Sequence, residues 1–214
     1  MIKTKKFLFK SLFLMLSTQL FGQPISNLTL DAQLSPFVFT DSTYTTFSGN
    51  GITIVNSLPK GGSLAPDGSQ FIDPEGRRYA FANFWTQIQN HTNQIIDVHL
   101  DFQKVRFPIF YTPGSYLMLF IPEEEVNLND LSRFNYGLED IENKLNEHFN
   151  QPVKRHYQLL QGDSVTFYVA TLSFNAAGTP RAQLLMNGHT LFYEVNFAPH
   201  GGGFIPCGSI DIVE

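Results

Sequence analysis

Residues Ile95–Phe102 read IIDVHLDF, and this octapeptide decides the fold class of the chain. Its residues alternate between apolar and polar from Ile96 onward. Successive side chains of a β-strand point to opposite faces of a sheet. The alternation therefore predicts a strand with one face packed against a core and the other in water, as is typical of antiparallel sheets. The apolar set is Ile96, Val98, Leu100 and Phe102, and the polar set is Asp97, His99 and Asp101.

Further short strands are predicted on both sides of this octapeptide. Each is rich in β-branched or aromatic residues and is bounded by Gly, Pro, Asn or Asp, the residues that favour turns. Two of them, 116–121 and 164–174, are apolar on both faces, so we expect them to lie centrally in a sheet. The predicted strands are residues 51–58, 79–89, 116–121, 164–174 and 209–213.

The clearest hairpin signal is Asn187-Gly188, which separates the runs 181–186 and 189–197. An Asn-Gly pair easily adopts the two positive φ angles of a type I′ turn, whose twist matches that of paired strands. The sequence therefore predicts two antiparallel strands joined at this dipeptide.

One segment, residues 137–150, has the period of a helix. Its apolar residues recur every three or four positions, and acidic residues occupy its first turns, where the helix dipole favours negative charge. We therefore expect a single α-helix here, inserted between strands or capping one end of the core. The apolar residues are Leu138, Ile141, Leu145 and Phe149.

Many short strands with one helix favour an antiparallel β-sandwich over a parallel α/β sheet, because each parallel pairing requires a long crossover, usually a helix. The segment 85–102, WTQIQNHTNQIIDVHLDF, resembles the B–C hairpin region of immunoglobulin-like domains in exported bacterial proteins. The tripeptide Phe21-Gly22-Gln23 and the general style of the chain are similar to secreted proteins of Bacteroidota. The resemblance implies an exported immunoglobulin-like β-sandwich and assigns no activity.

The first 22 residues have the order of a secretory signal peptide. Lys3, Lys5 and Lys6 form a positive start, residues 11–21 are largely apolar, and Gly22 is a small residue at the junction. The apolar stretch is shorter than the roughly 20 residues that span a bilayer. We therefore expect residues 1–22 to be cleaved, and residues 23–214 to form one secreted or periplasmic domain without a transmembrane span.

Removal of this leader makes the chain more acidic. The whole sequence has 14 basic and 19 acidic residues, and four of the basic ones lie in residues 1–22, so the mature net charge is −9. This charge argues against nucleic acid as a partner, because phosphate contacts need clustered Lys and Arg. A single cysteine, Cys207, excludes an internal disulfide.

Asp97, His99 and Asp101 are the candidate metal ligands. Their spacing of two places them on one face of a strand, about 6.5–7 Å apart. A histidine with two carboxylates suits a divalent ion, but a solvent-facing strand has the same composition, and no fourth ligand is evident. The sequence therefore predicts no metal or cofactor and leaves these three residues as the candidates.

Three other patterns predict no catalytic residue. The motif His200-Gly201-Gly202-Gly203 is typical of esterase oxyanion holes, but no Gly-x-Ser-x-Gly nucleophile motif accompanies it. We interpret it as a flexible glycine loop. Nothing near Cys207 indicates an activated thiol, so we interpret Cys207 as structural. The run 123–125, three glutamates, is typical of a solvated loop.

Residues 59–78 form the longest turn-rich segment and are the candidate binding surface. Long loops in compact domains are often functional, and Phe71 and Ile72 either pack down as a plug or present an apolar contact beside Arg77 and Arg78. The sequence favours a non-enzymatic exported protein that binds a protein, a glycan or an envelope component. A secreted hydrolase, with a site assembled from dispersed Asp, Glu and His, remains the alternative.

Overall fold

The computed structural model describes residues 34–45, 51–103, 105–109 and 111–213; the predicted signal peptide, 1–22, lies outside them. The described residues form thirteen strands, one α-helix and three short 3-10 helices, and no helix among them is long and apolar enough to cross a membrane. The elements are β1 Val38–Thr45, β2 Gly51–Ser57, β3 Lys60–Gly61, β4 Phe71–Ile72, β5 Arg78–Asn90, β6 Ile95–Phe102, β7 Phe107–Pro108, β8 Tyr116–Phe120, α1 Ile141–His148, β9 Val153–Leu159, β10 Ser164–Phe174, β11 Thr179–Asn187, β12 Thr190–Ala198 and β13 Gly202–Val213, with 3-10 helices at Ser35–Phe37, Leu128–Asp130 and Phe134–Gly137.

The strands form two antiparallel sheets that pack as a sandwich. The first sheet has eight strands in the order β1-β2-β5-β10-β8-β7, with the short β3 and β4 also paired to β5. The second has five strands in the order β11-β12-β13-β6-β9. The predicted class, a mainly β antiparallel sandwich with one helix, is confirmed, whereas the immunoglobulin-like subtype stays a prediction.

The main core lies between the two sheets. The alternation predicted from Ile96 onward is confirmed, because its four apolar residues in β6 are at most 2% exposed while Asp97, His99 and Asp101 face outward. The apolar side chains of β6 share one cluster with side chains of the eight-stranded sheet, such as Ile54, Phe84 and Ile88. Burial of this apolar area is the dominant favourable term in folding.

A second core covers the other face of the eight-stranded sheet. Trp85, Met118 and Tyr168 pack there beneath side chains of residues 126–149, including Tyr136 and Leu145. The eight-stranded sheet is therefore buried on both faces, as its continuous apolar runs predicted. β10 lies centrally, between β5 and β8.

The helix is confirmed but is shorter than predicted. It begins at Ile141 because Asp140 has a left-handed φ of 53°, which a continuous helix does not allow. Its buried residues, Ile141 and Leu145, pack on the face of the eight-stranded sheet. Of the two expected places, the helix takes the inserted one: it lies between β8 and β9 in the chain and forms part of a third layer, not a cap at one end of the core.

The hairpin of β11 and β12 is confirmed with a register one residue later than predicted. Asn187 pairs with Thr190, so the two turn residues are Gly188 and His189. Of these two, Gly188 alone has a positive φ, of 61°. The predicted type I′ turn would need a positive φ at both central residues. A positive φ at the first central residue alone is typical of a type II′ turn, and glycine supplies it at that position.

The last strand is longer than predicted. β13 begins at Gly202, not at Ser209, and Gly202 and Gly203 pair with Asn196 and Val195 of β12. A Cβ atom at Gly202 would collide with the Val195 carbonyl. The close approach of the two backbones therefore needs glycine, and glycines leave no side-chain alternation for a sequence reading to detect.

Candidate functional site

A cavity of about 710 Å³ opens beside the first half of β13. β12 pairs with β13 from Gly202 to Ser209, but β6 pairs with it only from Gly208 onward. At the start of β13, the five-stranded sheet is therefore open between β13 and β6. Apolar side chains line the cavity, among them Phe107, Leu117, Val195, Phe197, Phe204 and Ile205.

An aromatic wall bounds one side of the cavity. The ring of Tyr111 stacks on that of His200, with centroids 4.7 Å apart, and meets Phe197 edge-on at 6.1 Å. The Tyr111 hydroxyl donates a hydrogen bond of 2.5 Å to the Ala177 carbonyl, which fixes the ring. Phe204 is 64% exposed, an unusual state for so large an apolar side chain.

The glycines after His200 belong to this cavity. Gly201 has a φ of 90°, which permits the turn into β13. His200, Gly201, Gly202 and Gly203 all line the cavity. Because glycines carry no side chains, this wall consists of backbone and leaves the volume open.

Cys207 lies beside the cavity in sequence but belongs to the main core. It is fully buried, and this burial raises the pKa of its thiol to about 12 although a backbone hydrogen bond at Tyr193 lowers it. The thiol is therefore protonated at neutral pH and is not an activated nucleophile. His200, by contrast, is exposed.

The three polar residues of β6 do not act together. Asp101 lines the cavity and pairs with Lys154 Nζ at 3.1 Å. Asp97 and His99 instead gather with His156 of β9, and one ligand atom from each lies within 4.8 Å of the others. The structure thus brings two of the predicted candidates together, adds a residue that the sequence reading missed, and leaves Asp101 apart.

His156 was missed because β9 was not predicted. The alternation of Val153–Leu159 is present, with Val153 and Leu159 buried and Lys154, His156 and Gln158 exposed. Such an alternation is itself typical of a half-buried strand. The pairing of His156 with His99 joins residues distant in sequence, so no local pattern reveals it.

The segment 59–78 is packed against the molecule. Phe71 is fully buried against Tyr79 and Phe149, so of the two alternatives it packs down, whereas Ile72 is 49% exposed. Arg78 is exposed at the surface. None of the described residues that line the cavity comes from this segment.

Asp73 anchors this segment from within. Its carboxylate accepts hydrogen bonds from the backbone of Glu75 and Arg77, from Arg77 Nε at 2.7 Å and from the Tyr79 hydroxyl at 3.0 Å. Burial raises the pKa of Asp73, but the bonds from Arg77 and Tyr79 outweigh it and lower the pKa to about 2. The charged carboxylate therefore holds the turn closed.

Both candidate sites thus involve the five-stranded sheet. The cavity lies beside β13 and is also lined by β7 and β8 of the other sheet, and the cluster of Asp97, His99 and His156 lies on the outer face. The glutamates at 123–125 are exposed, and Glu124 pairs with Lys144 at 2.8 Å. No protein-family model matches the chain, and no curated protein is significantly similar to it in sequence.

Proposed function

We propose that the chain is an exported, non-enzymatic binding protein that takes a small, mostly apolar organic ligand into the cavity beside β13. The observation that carries this proposal is the cavity itself, of about 710 Å³ with aromatic and aliphatic walls. Small-molecule sites in proteins typically enclose about 300–1,000 Å³ and combine apolar walls with few polar groups.

The polar groups of the cavity indicate the chemistry of one end of the ligand. Asp101, Gln103 and His200 are polar or charged side chains among its described lining residues, and the Tyr111 hydroxyl there already donates to the Ala177 carbonyl. Asp101 Oδ2 pairs with Lys154, and a carboxylate only accepts hydrogen bonds. A hydroxyl or amino group on the ligand therefore suits this end.

The net charge of the protein indicates which ligand charges are favoured. The predicted mature chain has a net charge of −9, and a field of this sign disfavours the approach of anions. We infer a neutral or cationic ligand with an apolar body, which rests on Phe197 and Ile205, and a hydrogen-bond donor near Asp101.

A titration with N-phenyl-1-naphthylamine, a neutral dye that fluoresces in apolar surroundings, tests this function. We expect saturable binding at one site. The variant Ile205→Trp should weaken binding because the larger indole occupies part of the cavity, and a melting curve verifies that the variant is folded. Dye binding that does not saturate, or that is unchanged in a folded Ile205→Trp variant, would contradict the proposal.

A matched pair of phenylalanine variants localises the dye. Phe204→Ala removes an exposed ring at the cavity and should weaken binding about 5- to 10-fold, the effect of one aromatic contact. Phe134→Ala removes an exposed ring, 42% accessible, that does not line the cavity. Its affinity should equal that of the unmodified protein, and an equal loss in both variants would place the dye elsewhere.

A further inference from the structure

Two histidines face each other across neighbouring strands on the outer face of the five-stranded sheet. His99 of β6 is in register with His156 of β9, and their rings stack with centroids 4.4 Å apart and planes 12° apart. Asp97 precedes His99 by two residues and therefore points to the same face. Its Oδ1 atom is 3.4 Å from His156 Nε2.

The ligand atoms of these three residues are close enough to share one ion. Taking one nitrogen from each ring and one carboxylate oxygen, all three atoms lie within 4.8 Å of one another. Donors around a tetrahedral zinc ion, at 2.0–2.2 Å from the metal, are about 3.3 Å apart. The atoms must therefore close by at most about 1.5 Å, through side-chain rotations that also turn the two stacked rings toward the ion. We propose that Asp97, His99 and His156 form a binding site for a divalent transition-metal ion of the zinc type.

Neighbouring side chains orient the carboxylate of this site. Gln158 Nε2 donates a hydrogen bond of 3.1 Å to Asp97 Oδ1. Such outer partners hold a ligand in place and strengthen metal binding. On the other side, Asp211 of β13 is in register with Asp97, so it faces the same way and adds negative charge. The Ser209 hydroxyl, 2.8 Å from Asp211 Oδ2, holds this second carboxylate.

The basic side chains of β9 nearest to the histidine pair have other partners. Lys154 is in register with Asp101, and its amino group is 3.1 Å from the Asp101 carboxylate. Arg155, in register with Leu100, donates to the Ile121 carbonyl. Asp97 and Asp211 are the acidic residues in register beside the histidine pair. Two imidazoles and a carboxylate suit zinc, nickel and copper, whereas calcium and magnesium prefer oxygen ligands alone. Three protein ligands leave a fourth position for water.

Calorimetric titration with zinc chloride tests this site in the full chain, produced without a polyhistidine tag and dialysed against a chelator. We expect one zinc ion per chain with a Kd on the order of 1–10 μM. His99→Gln and His156→Gln should each weaken binding at least about 10-fold, and Asp97→Asn by a similar factor. Cobalt(II) provides a second readout, because a tetrahedral site with these ligands absorbs visible light.

A matched control is His148→Gln, which removes a histidine of α1 whose ring stacks on Phe120 at 5.1 Å, away from the histidine pair. Its zinc affinity should equal that of the unmodified protein. Circular dichroism verifies that each variant is folded, which we expect because His99 and His156 are exposed. A Kd above about 1 mM, or unchanged binding in the double variant of both histidines, would overturn the proposal. Failure of zinc binding would leave the proposed ligand binding in the cavity unaffected, because the three proposed zinc ligands do not line it.

Discussion

Two turn-rich segments of similar composition have opposite structural roles. Residues 59–78 are held down by the buried Phe71 and by Asp73, whose carboxylate accepts four hydrogen bonds. Residues 198–206 instead border an unfilled volume and leave Phe204 64% exposed. Turn composition shows where the chain leaves a strand, but it does not show whether the chain then packs. The anchored segment contains a buried carboxylate whose hydrogen bonds are satisfied, whereas the open segment includes the start of β13, which β6 leaves unpaired along one edge.

The largest expected effect is a loss of stability in the anchored segment. Phe71→Ala removes a fully buried ring that contacts Tyr79 and Phe149. Truncation of a buried Phe typically lowers the free energy of unfolding by about 3–5 kcal/mol, since it leaves a cavity. Urea unfolding measures this change. The neighbouring Ile72→Ala, at a half-exposed side chain, should lower the free energy of unfolding by less than about 1 kcal/mol. Equal losses in the two variants would show that Phe71 does not anchor the segment.

A smaller, pH-dependent effect is expected at Asp73. Its folded-state pKa of about 2 lies below its ordinary value of 3.8. Its charge therefore contributes stability fully above pH 3.8, and this contribution is lost as the pH falls through about 2. Asp73→Asn should melt at a lower temperature than the unmodified protein at neutral pH, and the difference should shrink between pH 4 and pH 2. A gap that stays constant across this window would show that the carboxylate charge does not anchor the segment.

The open segment should tolerate truncation. Phe204→Ala removes an exposed ring, and surface substitutions of this kind usually change the free energy of unfolding by at most about 0.5 kcal/mol. Urea unfolding beside Phe71→Ala, the same chemical change in the other segment, makes the comparison direct. A loss above about 2 kcal/mol would mean that Phe204 is part of the core.

The last prediction concerns the reactivity of the Cys207 thiol and not the stability of the protein. The thiol is fully buried and its pKa is raised to about 12 by that burial. A thiol reagent such as dithiobis(nitrobenzoate) should therefore react within minutes in denaturant and not in the folded protein. Fast reaction of the folded protein would show that the wall beside the cavity opens to solvent.

Much of the fold was predictable because its strands have local patterns. The alternation of Ile95–Phe102 indicated one wet face, and the two-sided apolar run of β10 indicated a central strand. The helix boundary was missed because the left-handed Asp140 interrupts an apolar period that continues across it. The start of β13 was missed because Gly202 and Gly203 carry no pattern.

The sites were less predictable because both are assembled from distant parts of the chain. Asp97 and His99 were candidates from their spacing, but their partner His156 depends on the register of β6 and β9. The cavity depends on where β6 stops pairing with β13, which no run of residues encodes locally. The sequence reading therefore placed its binding candidates at Phe71 and Ile72, whereas the cavity lies beside the glycines after His200.

The most direct test of the central claim compares dye affinity in one exposed apolar variant from each segment. N-phenyl-1-naphthylamine is titrated into Phe204→Ala and into Ile72→Ala, whose side chains are 64% and 49% exposed. We expect the Kd to rise about 5- to 10-fold in Phe204→Ala and to stay unchanged in Ile72→Ala. A weakened Ile72→Ala beside an unaffected Phe204→Ala would contradict the account and place the binding surface on residues 59–78.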